Sequence, residues 1–374
     1  MRLYRHILFV ALVLAVLLPL GGCSGKSVEE SRSTAQIIPP APMAQGAPTA
    51  APVSDPSSLN RAPTIAPGGR PVSPSTAASK PGRPVGRGGA LHPSWNALLD
   101  RLRKDNVSEA VLSAYFAGLP EYSPSPMSVK VKELYKIAFT PKTPRDPNAP
   151  PPSGVYRNVI TKANVERCKT FMQEHATSLK RMEEKYAVPK EVVTSLLFVE
   201  TRLGTQLGKE QAFWSLACMA ASDNPELVRS GISELDITPE REPWLQAKLT
   251  DKSDWAYKEL KAMMTFCSTQ SLDPQSMPGS VYGAVGICQF MPSNLSIYGA
   301  DGDGDGKIDL FVPEDAIHSA ANYLSSHGWK STAPVDARRK VIKRYNNSNR
   351  YANTILALAK SIRTGVVLAQ APTD

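Results

Sequence analysis

One carboxylate in the chain stands where its surroundings would change its chemistry. Glu200 follows Leu196, Leu197, Phe198 and Val199 at the last turn of what the spacing predicts to be the most apolar helix of the sequence. Desolvation and the negative end of the helix dipole both disfavour an ionised carboxylate there, so its pKa should rise. A carboxyl that stays protonated near neutrality can serve as a general acid on a leaving oxygen, such as a glycosidic one. An ion pair with Arg202 or a nearby lysine is the other reading of the same position.

Three more segments carry groups of chemical interest. The run GSVYGAVGICQFMPS, Gly279 to Ser293, sets glycines at 279, 283 and 286 ahead of Gln289, a composition that lets a polar polymer lie against backbone. The run RYNNSNRY, Arg344 to Tyr351, is a polar connection between two predicted helices, with hydroxyls and amides suited to sugar. Asp301, Asp303 and Asp305, with Gly306, the Lys307 carbonyl and Ile308, follow the calcium pattern of an EF-hand loop over 301–312. Val312, however, stands where that pattern places a bidentate carboxylate. Calcium therefore shares the reading with a plain Asp/Gly turn unless Glu314 or Asp315 swings in. Asp315, two residues after Pro313, reads more economically as part of a helix first turn.

Helices must position these groups. Apolar periodicity predicts them over 93–104, 108–119, 162–186, 190–202, 255–270, 313–327, 335–345 and 350–363. Pro189 opens the Glu200 helix and Gly204 closes it, while Pro292 opens another. The proline-rich residues 140–155 read as an extended crossing. No strand alternation persists beyond a few residues, so the predicted fold class is mainly α. Cys168, Cys218, Cys267 and Cys288 allow two disulfides in three pairings, or four buried thiols.

The N-terminal quarter has a different character. Residues 24–90 hold 12 of the 33 prolines and no Phe, Tyr or Trp, the composition of a tether. Arg2 and Arg5 precede an apolar run from Ile7 to Leu20, and Leu20-Gly21-Gly22-Cys23 resembles a bacterial lipoprotein signal, with acylated Cys23 as the mature N-terminus. Ser24 after it points to the outer membrane. The predicted division is a signal peptide over 1–22, acylated cysteine and tether over 23–90, a folded domain over 91–366 and a tail over 367–374. Of the formal charge of +9, only about +3 falls beyond residue 90, and no base-stacking or phosphate-cradling motif accompanies it. Nucleic acid is thereby excluded as a partner, and the single long apolar run excludes a multi-span membrane protein.

The blocks VETRLGTQLGK (Val199 to Lys209), GSVYGAVGICQFMPS and RYNNSNRY, in that order, resemble the lytic murein transglycosylases of the membrane-bound B type over about residues 92–365. The resemblance implies a lysozyme-like catalytic domain acting on peptidoglycan glycan strands, in the periplasm and lipid-anchored. It implies Glu200 as the sole catalytic carboxyl, with Ser280, Gln289, Tyr345 and Asn346 on the substrate side. Glu200 would act as acid and then base on the bond between N-acetylmuramic acid and N-acetylglucosamine, leaving 1,6-anhydromuramic ends. No cofactor is implied for the chemistry, and calcium on Asp301, Asp303, Asp305 and Lys307 would be structural. A muramidase hydrolysing the same bond and a non-catalytic wall-binding lipoprotein are the alternatives. Tyr282 replaces a residue that is usually small in the family, which would narrow the groove.

Overall fold

The computed structural model describes residues 91–141, 154–156 and 158–367. The signal, Cys23, the tether, all of the tail beyond residue 367 and most of the 140–155 crossing lie outside the described residues.

Among the described residues the chain forms α1 (Asn96–Lys104), α2 (Glu109–Phe116), α3 (Ser125–Phe139), α4 (Lys162–Glu174), α5 (Ala176–Tyr186), α6 (Lys190–Thr201), α7 (Ala212–Ala220), α8 (Pro225–Val228), α9 (Glu242–Gln270), α10 (Pro292–Tyr298), α11 (Pro313–Ser326), α12 (Val335–Tyr345) and α13 (Asn349–Thr364). The one sheet among them pairs β1 (Glu210–Gln211) antiparallel to β2 (Pro278–Gly279). The architecture is mainly helical, as the periodicity predicts.

Helix α6 is the pillar of the domain. Every residue from Val192 to Val199 is buried, because α13, α11, α4 and α5 surround it. Each large side chain such as Leu196, Leu197 or Phe198 contributes roughly 1.5–3 kcal/mol by leaving water. Helix α13, its main neighbour, starts where the Ser348 hydroxyl accepts the Tyr351 N–H at 3.2 Å.

Two predicted elements differ, and α3 and α7 fall where no helix is predicted. The 162–186 helix is broken at His175, which ends α4 and precedes α5, sets its ring at a tilt 4.4 Å from that of Phe171 and meets Glu314 at 2.8 Å. Helix α9 begins at Glu242 instead of 255, with Pro243 in its first turn. Helix α7, whose AFWSLACMA stretch is buried on almost every side, has no polar face for periodicity to detect. The four cysteines are all buried free thiols, which decides between the two readings of their even count.

Candidate active site

The end of α6 is strained. The helix stops at Thr201, three residues before Gly204: Arg202 (φ 53°) and Leu203 (φ 60°) already adopt left-handed backbone, followed by Gly204 (φ 85°). The Arg202 N–H donates to the Phe198 carbonyl at 3.0 Å and the Leu203 N–H to the Leu197 carbonyl at 3.2 Å, closing the helix. A non-glycine residue held this way costs on the order of 1–3 kcal/mol and persists only where its surroundings over-determine it. Here Thr201 does that work. Its hydroxyl donates to the Ile287 carbonyl at 2.7 Å and accepts the Gly204 N–H at 3.0 Å, locking the helix end to the glycine-rich segment.

Glu200 is set in this locked turn. Its only hydrogen-bond partner among the described residues is the Tyr351 hydroxyl, which donates to Oε1. Burial pushes the carboxyl up to about 8, against the Tyr351 bond, which favours the charged form. Among the described residues no neighbouring cation or second carboxylate contributes to the shift. The ion-pair reading fails because the Arg202 guanidinium lies over the Phe198 ring, 4.6 Å from its centroid. Part of the Glu200 side chain still reaches solvent, so its walls desolvate it while leaving it open to a ligand.

Those walls are neutral groups. Burial, and after it the Glu200 charge, pushes the Tyr156 hydroxyl up to about 12, and the same two causes raise the Cys288 thiol, Tyr345 and Tyr351. Tyr351 lies inside the third sequence block, but nothing there distinguished it from its polar neighbours. Tyr156 follows the proline-rich crossing and carried no sequence signal.

The glycine-rich segment forms the adjoining wall. A Cβ on Gly283 would come within 2.4 Å of Leu216, and one on Gly286 within 2.4 Å of Leu310, both at positive φ, so only glycine permits this approach. Gln289, itself left-handed at φ 51°, donates to the Gly286 carbonyl at 2.9 Å and to the Leu207 carbonyl at 3.3 Å. The Tyr345 hydroxyl donates to the Cys288 carbonyl, and the Tyr345 ring stacks on Tyr351. Asn346 is 2% exposed and its Nδ2 has no partner, an unused donor at the end of α12. Glu200, Tyr345 and the Cys288–Gln289 segment therefore come together, with Asn346 next in the chain. Ser280 stands apart: its hydroxyl accepts the Ala284 N–H at 3.0 Å and the Tyr282 N–H at 3.3 Å within its own turn. Tyr282 does not narrow a groove. It is buried, with its ring centroid 3.8 Å from Lys130 Nζ of α3.

The Asp/Gly loop has the opposite character. Carboxylate oxygens of Asp301, Asp303 and Asp315 lie within 4.8 Å of one another. Asp315 is in the first turn of α11, as predicted, and also accepts the Gly302 N–H at 2.7 Å and the Asp309 N–H at 2.6 Å, which brings its carboxylate to the loop. It supplies the charge that Val312 lacks. Asp305 is outside this cluster, its Oδ1 accepting the Lys307 N–H at 2.8 Å, and the Lys307 side chain is exposed. The loop is coupled to the other site, since the Leu310 carbonyl accepts the Ile287 N–H at 2.8 Å.

A helical pillar ending in one isolated, desolvated carboxyl beside a glycine-rich wall is the architecture of a lysozyme-like lytic transglycosylase. Residues 90–341 match the transglycosylase SLT domain family, and the chain belongs to it. Over 186 residues it is 32% identical to membrane-bound lytic murein transglycosylase B of Escherichia coli strain K12. That alignment covers 48% of this chain and 44% of the relative, so the chain spans less than half the length of the curated relative it matches. The fold is similar to that of the Escherichia coli lytic transglycosylase Slt35 in complex with calcium, with a TM-score of 0.53 and 21% identity, covering 77% of this chain and 99% of that one. It is likewise similar to SltB3 from Pseudomonas aeruginosa in complex with NAG-anhNAM-pentapeptide, with a TM-score of 0.53 and 20% identity over 73% of this chain and 80% of that one.

Proposed function

We propose that the protein cleaves peptidoglycan glycan strands as a lytic transglycosylase, with Glu200 as acid and then base. The observation that carries this reading is the isolated Glu200 carboxyl, raised to about 8 by burial, with no second carboxylate among the described residues contributing to the shift. Ordinary glycosidases need two carboxyl groups, one of them to activate water or attack the sugar. A single carboxyl suits a reaction whose nucleophile belongs to the substrate.

Glu200 donates its proton to the oxygen joining N-acetylmuramic acid C1 to N-acetylglucosamine, and that C–O bond breaks. The 2-acetamido carbonyl stabilises the positive charge at C1. Glu200, now a carboxylate, takes the proton of the muramic C6 hydroxyl as its oxygen bonds to C1, closing a 1,6-anhydro ring and restoring the acid. The internal hydroxyl has a high effective molarity, so the protein needs only to orient it. Gln289, Tyr345 and the unpartnered Nδ2 of Asn346 are the orienting groups, and Ser280 acts by shaping its turn.

Asp301, Asp303 and Asp315 would hold calcium, a hard cation that takes oxygen ligands, with Asp305 and the Lys307 carbonyl as further ligands. Calcium there would supply cohesion of the loop and no step of the chemistry. Cys23 would carry the lipid that holds the enzyme at the periplasmic face of the outer membrane; a Cys23→Ala chain that still fractionates with membranes would remove this anchor.

Mass spectrometry of the fragments released from murein tests the whole reading. Muropeptides ending in 1,6-anhydromuramic acid are expected. Fragments heavier by one water would make the protein a muramidase, and no release would leave a binding protein.

A further inference from the structure

Between residues 335 and 350 the chain carries Arg338, Arg339, Lys340, Lys343, Arg344 and Arg350 against one acid, Asp336. This local excess exceeds the roughly +3 of all residues beyond 90, so the rest of the domain is slightly acidic. Elsewhere some basic side chains meet carboxylates, as in Arg101–Asp254, Lys261–Asp105 and Lys132–Glu234, and others do not; what sets this segment apart is the density of cations with a single acid among them. On α12 only Arg339 meets a carboxylate, that of Asp336. Lys340, Lys343 and Arg344 form no ion pair among the described residues, and the Arg338 Nε is without a partner.

Helix stability does not explain this pattern. Cations in the last turn are favoured by the helix dipole, which accounts for Lys343 and Arg344. Arg338, Arg339 and Lys340 lie earlier, and the pairs Arg339–Lys343 and Lys340–Arg344 set like charges four residues apart, where they repel. The position of the helix supplies another reason. It ends at Tyr345, whose hydroxyl reaches the Cys288 carbonyl beside Glu200, and at Asn346 with its open amide. Lys340 stands five residues back, about 7.5 Å along the helix axis. The exposed cations of α12 therefore begin within about two helical turns of the end that meets the Glu200 site.

Resting on the function proposed above, we propose that the exposed face of α12 binds the free carboxylates of the peptide stems that peptidoglycan carries on its muramic residues. The face thus selects stem-bearing strands over bare glycan and sets the direction in which a strand lies. Such contacts at the rim of a site govern encounter and salt dependence more than chemistry.

The test compares the full chain with its Lys340→Glu/Lys343→Glu variant, both also carrying Glu200→Gln for binding measurements. On intact murein at low salt the variant should bind ~10-fold more weakly or worse, with a shallower loss of binding as salt rises. On glycan strands stripped of stems by an amidase the two should bind and be cleaved alike. Equal binding to intact murein overturns the proposal, as does an equal loss on stripped strands, which would make α12 a general support of the site. A loss confined to vesicles containing phosphatidylglycerol would assign the face to a membrane instead. Failure of the parent to release anhydro fragments would remove the proposed chemistry and leave the binding comparison readable by itself.

Discussion

Glu200 and Asp301 present the same functional group in one domain, linked through Thr201, Ile287 and Leu310, and their surroundings give them opposite chemistry. Glu200 receives a single hydroxyl bond inside a wall of tyrosines and a thiol, and burial keeps its proton on to a pH of about 8. At Asp301 burial also acts to raise the pKa, but the amides of Gly304 and Gly306, with the Asp303 carboxyl and the Asp305 amide, outweigh it together and hold the group below its usual value. The number of amide donors decides which group keeps its proton and which stays charged for a cation. Sequence position alone sets that number, because glycines at 304 and 306 turn the backbone toward Asp301, whereas the residues after Glu200 turn away from it.

The largest effect should come from removing the proton donor. Glu200→Gln keeps the shape and should lower the release of fragments from murein by ~100-fold or more, while Asp301→Asn should leave the rate within a few-fold of wild type. A Gln variant near the wild-type rate would place the acid elsewhere and dissolve the contrast between the two carboxylates. Next in size is Tyr351→Phe. Loss of the hydroxyl removes the bond that favours the charged form, so the Glu200 pKa should rise further and the alkaline limb of kcat/KM, expected near 8, should move to higher pH. The rate below that limb should fall about tenfold as the carboxyl loses its orientation. A limb that stays in place, or moves down, would disconnect Tyr351 from the titration.

Stability carries the same signature with a smaller amplitude. A native pKa above the unfolded value means that the folded chain holds the Glu200 proton more tightly, so stability is fully present below about 4.5 and is lost as pH rises toward about 8. The melting temperature of Glu200→Gln should therefore match wild type near pH 4 and exceed it increasingly up to pH 8. A gap that is constant across this range would mean that burial does not perturb the carboxyl.

These contrasts show which parts of the molecule the sequence exposes to reading. Glu200 was legible because an apolar run of four residues precedes a carboxylate, and a desolvated acid follows from that order alone. The aspartates at 301 and 303 were legible by spacing. Asp315 was only half legible: its place in a helix first turn follows from Pro313, but its approach to Asp301 depends on how α11 docks over the loop. Tyr156 was out of reach, because it meets Glu200 by long-range packing from a segment with no periodicity of its own. The same limit hid α7, buried all round, and the break at His175, which Glu314 from a distant helix stabilises.

The smallest expected effect belongs to the loop, and it asks whether Asp315 completes a cation site. If Asp301, Asp303 and Asp315 act together, millimolar calcium should raise the melting temperature over a chelated sample by about 2–5 °C, the scale of a ligand at modest excess over its Kd. Asp303→Asn is the cleanest variant. Asp303 is exposed and its Oδ1 accepts the Asp305 N–H at 3.0 Å, so an amide can keep that bond while the charge is lost. Asp315→Asn would be ambiguous, since both of its oxygens accept backbone N–H groups and one bond would go in either condition. The Asp303→Asn chain should melt near the chelated wild type and respond weakly to calcium. Because the Leu310 carbonyl joins the loop to Ile287, and Ile287 to Thr201, calcium should also slow hydrogen exchange at the Ile287 amide. Calcium that shifts neither the melting curve nor that amide would reduce the loop to a turn, and the three carboxylates to neighbours held together by the start of α11.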